Sequence, residues 1–151
     1  YCAKWMKQVE PELVDKYVRT GKLRIEFRNM VLFEQPSQLG ARAVMAAAQQ
    51  GQGYALMQKI YSTMPQKGHG EITVSLVRKW AEELQLKDID QFMKDAQSTK
   101  FDAQIAEGKQ EAHSMGFQSV PAFLINGYPV LGARETQTYI DIIESALLAL
   151  D

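Results

Sequence analysis

Apolar residues recur every three to four positions from Ala3 to Val18: Trp5, Val9, Leu13 and Tyr17 form one row, and Met6, Val14 and Val18 a second. That period sets both rows on one face and predicts a helix buried on one side. Pro11 falls inside it, deletes one amide donor and crowds the carbonyl of Lys7, so a kink in one helix is expected. Gly21 ends it. Leu23, Ile25 and Phe27 then alternate with Arg24, Glu26 and Arg28, the period of a half-covered strand, and the chain continues through Met30-Val31-Leu32-Phe33 to Pro36.

From Ser37 to Gly116 only helical periods recur: Leu39, Ala43, Val44 and Ala47; Leu56, Ile60 and Tyr61; Leu76, Trp80, Ala81 and Leu84; Ile89, Phe92, Met93 and Ala96; Ile105, Ala112 and Met115. Thr73 and Asp88 suit the N-caps of the third and fourth helices, and Gly116 suits the C-terminal stop of the last. Ala122-Phe123-Leu124-Ile125 and Tyr128-Pro129-Val130-Leu131 flank Asn126-Gly127, the dipeptide best able to take the positive dihedrals of a type I′ turn, so a hairpin is expected. A last helix from Thr136 to Leu150 should turn Tyr139, Ile142, Ile143, Ala146, Leu147 and Leu150 to the core.

With 151 residues, 46% apolar and 23% charged, the chain has the size and composition of a single globular domain that needs no staples. Seventeen basic and eighteen acidic residues leave a net charge of -1 without a run of like charge, which gives a nucleic acid no electrostatic motive to bind. Its longest apolar stretches, such as Met30 to Phe33 and Ala146 to Leu150, fall short of a bilayer crossing. With one cysteine no internal disulfide can form.

That cysteine, Cys2, stands at the first turn of the opening helix, where unpaired amides and the helix dipole favour a thiolate. One sulfur alone cannot shuttle two electrons. Taken separately, Cys2 reads more readily as a small buried apolar residue than as a catalytic thiol, and Pro121 more readily as a trans proline entering a strand. Trp5, Trp80 and the methionines read as packing. His69, in Lys67-Gly68-His69-Gly70, reads as surface, and His113 near a helix end suits the dipole. Two histidines and one cysteine without ligand spacing make no zinc site, so no metal is expected. A hydrolase built on Cys2 and His113 lacks an orienting Asn or Asp at any recognisable spacing. Gly51-Gln52-Gly53 lacks the pattern of a phosphate loop and reads as an inter-helix hinge.

The order helix, strand, helical block, hairpin, helix, with Tyr1-Cys2-Ala3-Lys4-Trp5 at one end and Ser119-Val120-Pro121 before the hairpin, resembles the DsbA-type thiol:disulfide oxidoreductases. Asn126-Gly127 and Gly132-Ala133 match how that family's hairpin leads into its final helix. The resemblance implies an α/β thioredoxin-like fold, with core residues 1–33 and 117–151 and a helical insertion at 34–116. It also implies that Cys2 is the second cysteine of a Cys-x-Tyr-Cys site, with Tyr1 between the pair. The first cysteine would stand two places before Tyr1, and the family's central strand would precede it, so an upstream segment of the protein or a strand donated by another chain is expected. Pro121 would be the cis-proline, Val120 would offer its backbone to an extended client segment, and Ser119 would border the groove.

Further expectations follow from the resemblance: no cofactor, an extracytoplasmic location in periplasm, cell envelope or medium, reduced or misoxidised client proteins as substrates, and a redox partner that regenerates the site. The residue two places before Tyr1 would separate this reading from a glutathione-dependent transferase or isomerase on the same fold, and from a non-catalytic peptide-binding domain. Oxidase, isomerase and reductase are not distinguished by these residues.

Overall fold

The computed structural model describes residues 1–28, 36–63 and 70–150. The histidine at 69 and the apolar run at 30–33 lie outside the described residues. The chain forms two compact units, Tyr1–Glu26 with Phe117–Asp151, and Phe27–Gly116.

In the first unit, the opening apolar rows form helix α1 (Cys2–Gln8) and a short α2 (Glu10–Leu13), followed by one π-type turn from Val14 to Val18. The single kinked helix expected from the sequence is therefore divided at Val9, whose dihedrals stay helical. Pro11 accounts for the break, because without an amide hydrogen it cannot complete the ladder back to Lys7. Arg19 N then donates to Val14 O at 2.9 Å, five residues back, which closes the π turn. Gly21, at φ 77°, reverses the chain as Lys22 and Leu23 both donate to Tyr17 O.

Leu23 to Phe27 does not form the expected strand, since residues 23–28 join no helix or ladder. The alternation survives only as coverage: Leu23 and Ile25 are half-buried, Arg24 and Glu26 exposed. A period of two reports which face is covered, whereas a strand also needs a hydrogen-bonded neighbour, and among the described residues none lies beside it.

β1 (Ala122–Ile125) and β2 (Tyr128–Leu131) pair antiparallel, Ala122 opposite Leu131 and Ile125 opposite Tyr128. Asn126 and Gly127 take positive φ values of 47° and 87°, as the turn requires. Helix α8 (Thr136–Leu148) buries Tyr139, Ile140 and Ile143 against Trp5, Val9, Leu13, Tyr17 and Val130. Leu150, expected in the core, lies beyond the end of α8 and is 74% exposed. Tyr17 Oη donates to Glu144 Oε1 at 2.6 Å, and burial, with that bond next, pushes the phenol up to about 12.

The second unit is helical: α3 (Pro36–Ala48), α4 (Gly53–Thr63), α5 (Val74–Glu83), α6 (Ile89–Ala96) and α7 (Asp102–Ser114). α3 is central and touches the other four, because its alanines at 41, 43, 46 and 47 let neighbours approach closely. Thr73 Oγ1 accepts from Leu76 N at 3.1 Å and Asp88 Oδ1 from Gln91 N at 3.0 Å, so both expected caps form. The Gly51-Gln52-Gly53 hinge has a close approach at Gly53, where a Cβ would lie 2.8 Å from that of Ala48.

Phe92 is fully buried in this unit, so Phe92→Ala should cost about 3–5 kcal/mol in denaturant unfolding; a loss below about 1 kcal/mol would contradict the packing. Arg42 donates to Asp102 through Nε at 2.8 Å and Nη2 at 2.6 Å, which holds the Asp102 carboxyl below the usual carboxylate range. A depressed carboxyl contributes stability that is present above its unfolded pKa of about 4 and is lost as pH falls through the folded value. The stability gap between wild type and Asp102→Asn should therefore be widest near neutrality and close below about pH 4. A gap independent of pH would exclude the ion pair as its source.

Candidate functional site

Cys2 is the first residue of α1 and is half-buried, while Tyr1 before it is 88% exposed and acts as the N-cap without a side-chain capping bond. The carbonyl of Tyr1 accepts from Trp5 N at 3.0 Å, so the turn carrying Cys2 is closed at Trp5. Ahead of the hairpin, Ser119 is exposed, Val120 half-buried and Pro121 buried. The Val120–Pro121 peptide is cis. Pro121 O accepts from Gly132 N at 2.9 Å, extending the hairpin pairing by one step. Among the described residues, the N–H and C=O of Val120 enter no hydrogen bond.

Three aromatic rings join these two segments. Trp5 lies 4.8 Å from Phe123 and 6.0 Å from Tyr139 between ring centroids, and Phe123 lies 5.1 Å from Tyr139. Trp5 comes three residues after Cys2 and Phe123 two after Pro121, so the turn bearing the sulfur is packed against the strand that leaves the proline. The edge-on geometry between Phe123 and Tyr139 suits the ring quadrupoles and adds about 0.5–1.5 kcal/mol per pair beyond burial.

Tyr139 also fixes the loop behind the hairpin. Its phenol oxygen accepts from Arg134 N at 3.0 Å and donates to Gly132 O at 3.3 Å. Burial raises its pKa, opposed by the Arg134 amide, by the Trp5 indole and by the Arg134 charge. The indole Nε1 of Trp5 is buried and makes no hydrogen bond of normal geometry, so its effect on the phenol is electrostatic contact short of a bond. A cavity of about 410 Å³ opens beside this cluster, walled by Lys4, Trp5 and Gln8 on α1, by Val9 at its end and by residues 133–136.

His113 is exposed at the end of α7. Among the described residues no three His, Cys, Asp or Glu side chains are grouped to hold a metal ion, and no helix is long and apolar enough to cross a membrane. The sequence placed Trp5 and Tyr139 in the core, but their meeting with Phe123 and the cavity beside them were missed. The one available signal was an aromatic residue close behind each, Trp5 three places after Cys2 and Phe123 two places after Pro121.

A hairpin packed on α1 and α8, with a helical unit placed in sequence between the first helices and the hairpin, defines a thioredoxin-like fold. Residues 1–145 match the family model described as thioredoxin, and the chain belongs to that family. It is similar to the probable disulfide bond formation protein D of Bacillus anthracis, at 28% identity over 129 residues, and to that of Bacillus cereus, at 27%. These matches cover 83% of this chain but 59% and 60% of the relatives, so the matched region spans about three fifths of their length.

Among solved structures, a thioredoxin-like oxidoreductase from Silicibacter pomeroyi is 27% identical, with a TM-score of 0.79 over 97% of this chain and 79% of that one. Oxidised BdbD from Bacillus subtilis superposes with a TM-score of 0.87 over 95% of this chain and 79% of its own, at 15% identity, and shares the fold. Wolbachia pipientis alpha-DsbA1 does likewise, with a TM-score of 0.80 over 99% of this chain and 83% of its own, at 18% identity.

Tyr139→Phe should destabilise the protein by about 1–3 kcal/mol, because the Arg134 amide and the Gly132 carbonyl lose their shared partner. Unchanged thermal unfolding would mean that water replaces the phenol at no cost.

Proposed function

We propose that this chain carries the dithiol site of a thiol:disulfide oxidoreductase that acts on cysteine pairs of exported proteins. The observation that supports it best is the Trp5–Phe123 contact, which packs the first turn of α1 against the strand following Val120–Pro121. Kinship with the disulfide bond formation proteins supports the same chemistry.

In this reading Cys2 is the resolving thiol of a Cys-x-Tyr-Cys pair whose nucleophile stands two places before Tyr1. In the oxidising direction, a client thiolate attacks the nucleophile's sulfur in the enzyme disulfide, and Cys2 leaves as the thiolate. A second client thiolate then attacks the client sulfur of the mixed disulfide and expels the enzyme's first cysteine. The client loses two electrons and two protons, and the enzyme pair gains them. In the reducing direction the Cys2 thiolate attacks the mixed disulfide and releases the client. Cys2, half-buried on α1, suits the inner position, because a client sulfur reaches the more exposed partner first.

Val120 contributes through its backbone. Its unengaged N–H and C=O can pair with an extended client segment whatever that segment's side chains are, and Ser119 borders the same edge. Pro121, lacking an N–H, lies beside the pair without offering a competing donor. The enzyme works outside the cytoplasm, where client disulfides persist, and a separate redox partner resets the pair after each turnover.

The test is Cys2→Ser in the full-length protein, offered a client disulfide. A covalent complex sensitive to reductant should accumulate and turnover should stop. Wild-type turnover without a trapped complex would remove Cys2 from the chemistry.

A further inference from the structure

The cavity beside Trp5 is bounded by the helix that carries Cys2 and by the loop that follows the hairpin. One wall is α1, on which Lys4 follows Cys2 by two residues, and the other is the loop from Ala133 to Thr136 that continues from the hairpin. Its volume of about 410 Å³ falls within the roughly 300–1,000 Å³ of small-ligand sites.

Its charge is uneven. Lys4 and Arg134 are both exposed, and among the described residues neither forms an ion pair. Arg134 is nonetheless held in place: its backbone amide donates to the Tyr139 oxygen at 3.0 Å and its Nε to Leu131 O at 2.9 Å. That leaves the terminal guanidinium nitrogens for a ligand at little cost in side-chain entropy. Gln8 and Thr136 add neutral polar groups, and the floor is the buried face of Trp5 and Val9. The single carboxylate on the wall, Glu135, is exposed, and as N-cap of α8 its side chain makes no capping bond. The lining therefore carries two cations against one anion, and the positive end of the thirteen-residue helix α8 lies beside it.

We propose that this cavity selects client segments with an acidic side chain near the reacting cysteine, the carboxylate being held between Lys4 and Arg134. The proposal rests on the redox reading for the meaning of the selection, but the binding preference itself does not need thiol chemistry. An acidic segment matches the excess of unpaired cations, and a neutral or basic one leaves both without a partner.

The experiment uses the full-length protein and two peptides whose cysteines are replaced by serine, one with glutamates beside the serine and one with glutamines, read by fluorescence anisotropy at low ionic strength. The glutamate peptide should bind about fivefold more tightly, since two partly exposed ion pairs contribute that much together. The ratio should fall to about twofold in Lys4→Gln, which leaves the Arg134 bond to Leu131 intact, and approach unity in Lys4→Gln/Arg134→Gln or with added salt. Equal binding of the two peptides, or a preference that survives in the double variant, would overturn the proposal. Turnover of the cysteine-containing peptides reports the redox reading separately: selectivity without turnover removes that reading alone, and turnover without selectivity removes this one alone.

Discussion

The contact of Trp5 with Phe123 and Tyr139 is the constraint on which the first unit depends. α1 is only seven residues long and α2 four, and Pro11 breaks the ladder between them, so neither would hold its direction as an isolated helix. What fixes the first turn is burial of Trp5 against a strand and a helix more than a hundred residues further along the chain. Tyr139 serves twice, since its ring completes the cluster while its hydroxyl ties Arg134 and Gly132 into the loop before α8. Packing and hydrogen bonding thus converge on one residue, and they hold the cysteine-bearing turn and the proline-bearing segment in the same unit.

That convergence explains why the site residues need little machinery of their own. Tyr1 points to solvent, Cys2 is half-covered and Val120 keeps its backbone groups unengaged, which suits a surface that meets many extended segments. The rigid parts lie one layer deeper, in Trp5, Pro121, Val130 and Tyr139, all of them buried. The helical unit is stabilised by other means. Its alanine-rich α3 lets four helices approach, and the Arg42–Asp102 pair joins α3 to the first turn of α7.

Much of this was legible in the residues because the signals were local. Thr73 and Asp88 cap the helices that they precede, Asn126-Gly127 makes the hairpin turn, and Gly21 and Gly116 stop helices with positive φ. Failures came where the outcome depended on distant neighbours. Leu23 to Phe27 has the alternation of a strand, but pairing is decided by another segment's backbone, and no partner lies beside it among the described residues. Leu150 fits the helical period of α8, yet the helix ends at Leu148 and takes its core face from Ile140 instead. For the site, Cys2, Val120 and Pro121 could be singled out from their settings, whereas the cavity of Lys4 and Arg134 arises only when α1 meets the loop after β2.

The central claim is that Cys2 changes oxidation state together with a neighbouring cysteine. Peptide mapping of the full-length protein tests it most directly, with alkylation before and after treatment with a dithiol reductant. The account predicts that in the oxidised protein Cys2 resists alkylation and its peptide lacks two hydrogens, and that reduction restores both. Equal alkylation of Cys2 in the two states would contradict it.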